Sequence, residues 1–271
     1  MTPDLWQAAG AAGHIAPIGG TLLRWVESQA QVATAGLVDR LDKQAVLETL
    51  LEASKPPLRP GTERLHYLLA TPFRYPPLRH GSRFGGRHEP ALLYGALSED
   101  ALLAEAAYYR LVFWSGMATP PPARLTTQHA VFSVRYRSSR GLRLQSAAFA
   151  LWRATLADPS DYRATQALGT AMRGAGVAAF EYPSARDPAG GANVGLFTPA
   201  ALAGRRPERM EPWLAQTSGD EVALRRHGGP VRRFRRSQFE VDGRLPMPAA
   251  MDGRPSNRLR RQSIRRERFR T

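Results

Sequence analysis

The chain has 271 residues, 43% hydrophobic and 23% charged, an ordinary composition for a globular protein with a sizeable core. It has no cysteine, which excludes disulfides, thiol nucleophiles and thiolate metal sites, and no run of about 18 or more apolar residues offers a membrane span. The net charge of +15 invites a nucleic-acid reading, but residues 251–271 hold eight Arg against Asp252 and Glu267, leaving +9 on the rest.

A solvated basic tail over 250–271, touching nucleic acid only non-specifically, is therefore the plainer expectation. Only Lys43 and Lys55 of the basic residues are lysines, a usage that GC-rich coding produces. The first 20 residues are small and apolar but carry Asp4 where a leader would be basic. A cytoplasmic protein without a membrane anchor is expected.

From Thr21 onward, Leu23, Trp25, Val26, Val32 and Leu37 stand near helical spacing, predicting a helical N-terminal extension over residues 1–60. Asp42 reads as the N-cap of a helix whose Val46, Leu47, Leu50 and Leu51 share a face, stopped at Pro56-Pro57. Residues 65–70 (LHYLLA) read as a buried strand, placing Arg74 at a strand exit. The run 81–87 (GSRFGGR) is a Gly/Arg loop whose backbone can approach a ligand closely, although it matches neither GxGxxG nor a Walker motif. A short strand ends at Tyr94. Ser98 then caps a helix with Glu99 and Asp100 in its first turn.

That helix carries Glu105 among ALLA and AAYY, a carboxylate in apolar surroundings that needs a partner. Arg74 and Arg83 are natural ones. After a Pro-rich loop at 117–124, alternation makes 129–138 a strand and 140–144 a second short one. Residues 158–160 are a turn, 165–176 a helix, 177–184 a strand ending at Pro183 with Ser184 at its tip, and 193–198 another strand. EVALRR at 221–226 and QFEVDG at 238–243 are expected to pair as a terminal hairpin. Irregular alternation without a repeat predicts an α+β fold with a mixed or antiparallel sheet and flanking helices. The body of the fold is expected over 61–249. The six His show no metal-ligand spacing, and no metal or cofactor is called for.

Several short runs resemble the RES domain family: RY at 74–75, GSRF at 81–84, LLYGA at 92–96, AEAAYYR at 104–110 and YPSARDP at 182–188. The family is named for Arg, Glu and Ser, which the resemblance matches to Arg74, Glu105 and Ser184. It further matches a functional Arg and Tyr to Arg83 and Tyr94, with Arg87 the alternative to Arg83. Asn193 resembles a family position near the site. The resemblance spans roughly residues 28–249. It implies a fold similar to ADP-ribosyltransferases and a toxin that degrades NAD as substrate by breaking its nicotinamide–ribose bond. Either water or phosphate could be the acceptor, and an Xre-type helix-turn-helix antitoxin would neutralise it. Ser184 lies in no nucleophile elbow and is expected to position substrate rather than attack it. Where relatives carry GGRWN this chain has GGRHE. An inactive RES-like interaction module and an Arg-rich nucleic-acid binder are the competing readings; self-association is left open.

Overall fold

The computed structural model describes residues 4–28 and 40–247. Val32, Leu37 and the basic segment 250–271 lie outside them. In chain order the elements are α1 (Leu5–Ala8), β1 (Ala16–Glu27), α2 (Leu41–Ser54), α3 (Tyr67–Arg74), β2 (Leu93–Ala96), α4 (Glu99–Ser115) and β3 (Leu125–Arg143). There follow α5 (Arg153–Leu156), α6 (Arg163–Gly174), β4 (Ala179–Pro183), β5 (Ala192–Leu196), β6 (Arg209–Thr217), β7 (Glu221–Arg226) and β8 (Val231–Arg235). Among the described residues no helix is long and apolar enough to cross a membrane.

The fold is α+β: an eight-stranded, mostly antiparallel sheet with flanking helices, in the order β1-β2-β5-β4-β3-β6-β7-β8. Strand β3 is one 19-residue element rather than two short ones. One of its edges carries β1; the other carries β6 antiparallel along its first half and β4 parallel at its end. Because β1 also pairs with β2, the run β1-β2-β5-β4-β3 closes into a ring.

The expected N-terminal helix over Leu23, Trp25 and Val26 is replaced by β1, which pairs with β3 from Ala16↔Gly141 to Glu27↔His129. Residues 16–27 of the extension are thus part of the central sheet. The physical reason is that the second half of β1 carries apolar residues on both faces. Leu22 and Val26 join one core while Leu23 and Trp25 join another, so no apolar/polar alternation marked the strand. Helix α2 does form, beginning at Leu41 with Asp42 inside its first turn, bonded to Arg40, rather than capping it.

Residues 65–70 are also corrected. They enter helix α3, whose first turn is capped by the His66 ring accepting from the Leu68 N–H. A short apolar run cannot be told from a buried helix by periodicity. Here Leu68, Leu69 and Phe73 fill the core on the inner face of the ring with Leu93, Phe132, Val194 and Leu196. The expected hairpin of EVALRR with QFEVDG is replaced by β6-β7-β8, with residues 236–238 in a 3-10 turn.

Two further cores lie on the outer face. Helix α4 packs Leu103, Ala107 and Leu111 against β6 and β7, and α6 packs Leu168 and Met172 against Phe84, Phe180 and Tyr182. The strands β2, β5 and β4 present Tyr94, Asn193, Tyr182 and Ser184 on this same face, because residues directly opposite across the ladder share a side. The candidate site lies there.

Candidate functional site

Ser98 caps α4 by accepting from the Ala101 N–H, and the first turn carries Glu99 and Asp100. Two turns on, Glu105 reaches over the ends of β4 and β5. Its Oε1 accepts from Ser184 Oγ at 2.7 Å and from Asn193 Nδ2 at 2.8 Å. Both donors are buried, 6% and 3% exposed. Among the described residues Oε2 has no hydrogen-bond partner. The carboxylate is therefore oriented through one oxygen and left open at the other. The buried Glu181 is a contrast: both its oxygens are used, by Tyr136 Oη at 2.8 Å and by Gln145 Nε2 at 2.6 Å. Glu181 is satisfied within the fold, whereas Glu105 retains an unused acceptor.

The Ser184 hydroxyl is fully committed. Besides donating to Glu105 it accepts from the backbone N–H of Arg186 at 3.1 Å and of Asp187 at 3.2 Å. Its proton is committed to the Glu105 carboxylate and its lone pairs to two backbone N–H groups, so the hydroxyl holds Glu105 in place. Asn193 Oδ1 is buried with no partner, because the amide must turn its nitrogen to the carboxylate.

The loop 81–86 brings a second group of candidate residues. Gly81 has φ +70° and a Cβ there would stand 2.3 Å from the Gly85 carbonyl, so only glycine closes this turn. Tyr94 holds the loop: its hydroxyl accepts from the Phe84 N–H at 2.9 Å and bonds Ser82 at 3.0 Å, bracketing Arg83. Burial pushes the Tyr94 hydroxyl up to about 12, so it stays protonated for those bonds. Tyr94 thus acts on Arg83 through the backbone.

Arg83 donates to the Asp158 carbonyl at 2.7 Å and lies over the Tyr162 ring at 4.5 Å. Burial disfavours its charge, but Tyr162 and Glu105 outweigh that and raise its pKa above the ordinary value.

Two other residues named from sequence lie outside this cluster. Arg74 ends α3 and turns to Glu52 at 2.6 Å and the Pro56 carbonyl at 2.5 Å, so the expected pairing with Glu105 is not formed. Its place at a strand exit followed from the misread strand. Arg87 is exposed and among the described residues makes no hydrogen bond or ion pair. Sequence reasoning missed Tyr162 and Arg186. Arg186 lies two residues past Ser184, 5% exposed, its guanidinium 3.5 Å from the Tyr108 ring centre. The signal available was Arg186 in SARD directly after a buried strand.

The arrangement is a cluster of one oriented carboxylate, two arginines and several tyrosines. Arginine donors of this kind suit an anionic ligand, and a carboxylate with an unused oxygen can accept from a hydroxyl. Among the described residues no group of three His, Asp or Glu side chains could hold a metal ion.

No curated protein matches the chain in sequence. Among solved structures, one similar chain comes from the crystal structure of the M. tuberculosis MbcT–MbcA toxin–antitoxin complex. It has 13% identity and a TM-score of 0.42, covering 77% of this chain and 91% of that one, a likeness too loose to decide anything here. The family model described as "RES domain" matches residues 56–218, more than half of the chain and all of Arg83, Tyr94, Glu105, Ser184 and Asn193. The protein belongs to the RES domain family.

Proposed function

We propose that this RES domain protein is a toxin that degrades NAD by cleaving the nicotinamide–ribose bond. The observation that carries the reading is the hydrogen bonding of Glu105: both protein donors go to Oε1, and Oε2 is left for a ligand. In this reading Oε2 accepts from a ribose hydroxyl. As the C1′–N bond breaks, its electron pair leaves with neutral nicotinamide, so no strong general acid is needed. Positive charge grows on the ribose, and the carboxylate interaction strengthens with it. A water or phosphate oxygen then bonds to C1′ and releases its proton to solvent. Arg83 holds the diphosphate, and Ser184 and Asn193 keep Glu105 in place.

The test is release of nicotinamide from NAD by purified protein freed of any inhibitor, with and without phosphate. Turnover only with phosphate identifies a phosphorylase; turnover in both identifies a hydrolase. Silence from folded protein in both conditions refutes the proposal and favours an interaction module. An Xre-type helix-turn-helix antitoxin is the proposed partner. Expression alone should arrest growth, and co-expression of such a protein from the neighbouring gene should restore it.

A further inference from the structure

We infer that Arg186 is a second anion-binding residue of this cluster, acting with Arg83 on the diphosphate of a dinucleotide. The inference rests on the reading of the cluster as an NAD site but adds a residue that neither the family motif nor the sequence assigned.

An arginine that is 5% exposed has given up most of its hydration, and such a cation is stable in a protein when a carboxylate or other anion faces it. Arg186 has no ion pair among the described residues. Its polar contacts are neutral: Nη2 donates to the Pro159 carbonyl at 2.7 Å and lies 3.5 Å from the Tyr162 hydroxyl. The flat face stacks on Tyr108. Nε and Nη1 have no acceptor among the described residues, yet neither is among the buried atoms sealed off without a partner. They therefore reach an opening. A buried guanidinium, locked by a carbonyl and a ring, with two free donors on that opening, is a preorganised half of an anion site.

Geometry joins it to Arg83. Both guanidinium groups contact Tyr162, Arg83 over the ring and Arg186 at the hydroxyl. Both are fastened to carbonyls of one loop, Arg83 to Asp158 and Arg186 to Pro159. Neither has a carboxylate within ion-pair distance among the described residues. Two neighbouring cations without an ion pair leave positive charge uncompensated. A diphosphate supplies the missing charge, while Glu105 is engaged with the sugar. Arg186 also ties the two halves together, since its backbone N–H donates to the Ser184 hydroxyl that holds Glu105.

The experiment compares wild type, Arg186→Gln and Arg186→Lys. Calorimetric affinity for inorganic pyrophosphate is measured alongside KM for NAD and for nicotinamide riboside, which lacks the diphosphate. Arg186→Gln should weaken pyrophosphate binding and raise the KM for NAD by about tenfold or more, the value of a charge-assisted contact. The KM for nicotinamide riboside should stay within about twofold. Arg186→Lys should recover part of the pyrophosphate affinity. A purely structural Arg186 would instead raise both KM values together and leave pyrophosphate affinity unchanged, which overturns the inference. Should Arg186→Gln fail to fold, Arg186→Lys decides alone, because unchanged pyrophosphate affinity there also overturns it. Pyrophosphate binding that depends on Arg186, without any NAD turnover, would uphold the anion site and refute the cleavage reaction instead.

Discussion

Glu105→Gln separates the two roles that the geometry gives this carboxylate. A glutamine of the same shape keeps its oxygen where Oε1 stands, so the bonds from Ser184 at 2.7 Å and Asn193 at 2.8 Å persist as neutral ones. A hydrogen bond to a charged group contributes about 1.5–3 kcal/mol against about 1 for a neutral one. The fold should therefore lose on the order of 1–2 kcal/mol, which is a few degrees in Tm for a chain of this length. At the open position the change is larger. An NH2 replaces the free oxygen, so the group can no longer accept from a ribose hydroxyl, and no negative charge meets the developing cation. Loss of one such transition-state contact costs about 100-fold in kcat, near 2.7 kcal/mol. Nicotinamide release at saturating NAD, measured with the Tm of the same sample, checks both numbers. If kcat stays within about threefold while the Tm falls by more than several degrees, Glu105 is a structural partner and the mechanism is wrong.

Three further outcomes follow from named contacts. Tyr94→Phe removes the acceptor of the Phe84 N–H and the partner of Ser82, so the Arg83 loop loosens at a cost of about 1–3 kcal/mol. The KM for NAD should rise more than kcat falls, and an unchanged KM would show that Tyr94 does not hold Arg83. Arg74→Gln breaks a pair whose acid is largely exposed and a bond to the Pro56 carbonyl, both away from Glu105, so kcat/KM should change by less than about threefold. A loss near 100-fold in the folded variant would restore Arg74 to the site. Finally, burial and the nearby Arg110 lower the His129 pKa from 6.5 to about 4. Between those values the unfolded chain binds the proton and the folded one does not, so stability is fully present above about pH 6.5 and declines as pH falls towards 4. The decline from this residue should reach no more than about 3 kcal/mol, and urea titrations of His129→Gln should show it removed.

The helix carrying Glu105 was legible because its signals are local: a Ser98 cap, acids in the first turn and a long apolar run. The strands β4 and β5 were legible for the same reason, bounded by Pro183 and by glycines. The residues Glu105, Ser184, Asn193, Arg83 and Tyr94 were named through short motifs on or beside α4, β2, β4, β5 and the 81–86 loop. What local signals could not determine is which elements share a sheet. Strand β1 lacks alternation because apolar residues on both its faces pack against cores, and α3 is too short for its period to be read. Register decided the rest. The pairing Tyr182↔Asn193 puts the Asn193 amide beside the tip of β4, where it meets Glu105, and the turn after β4 drives Arg186 under Tyr108. The same tertiary choice turned Arg74 to Glu52 on another element. Sequence alone determined which groups are available for chemistry; only cross-strand pairing and burial determined which of them meet, because those contacts join residues as many as 88 positions apart.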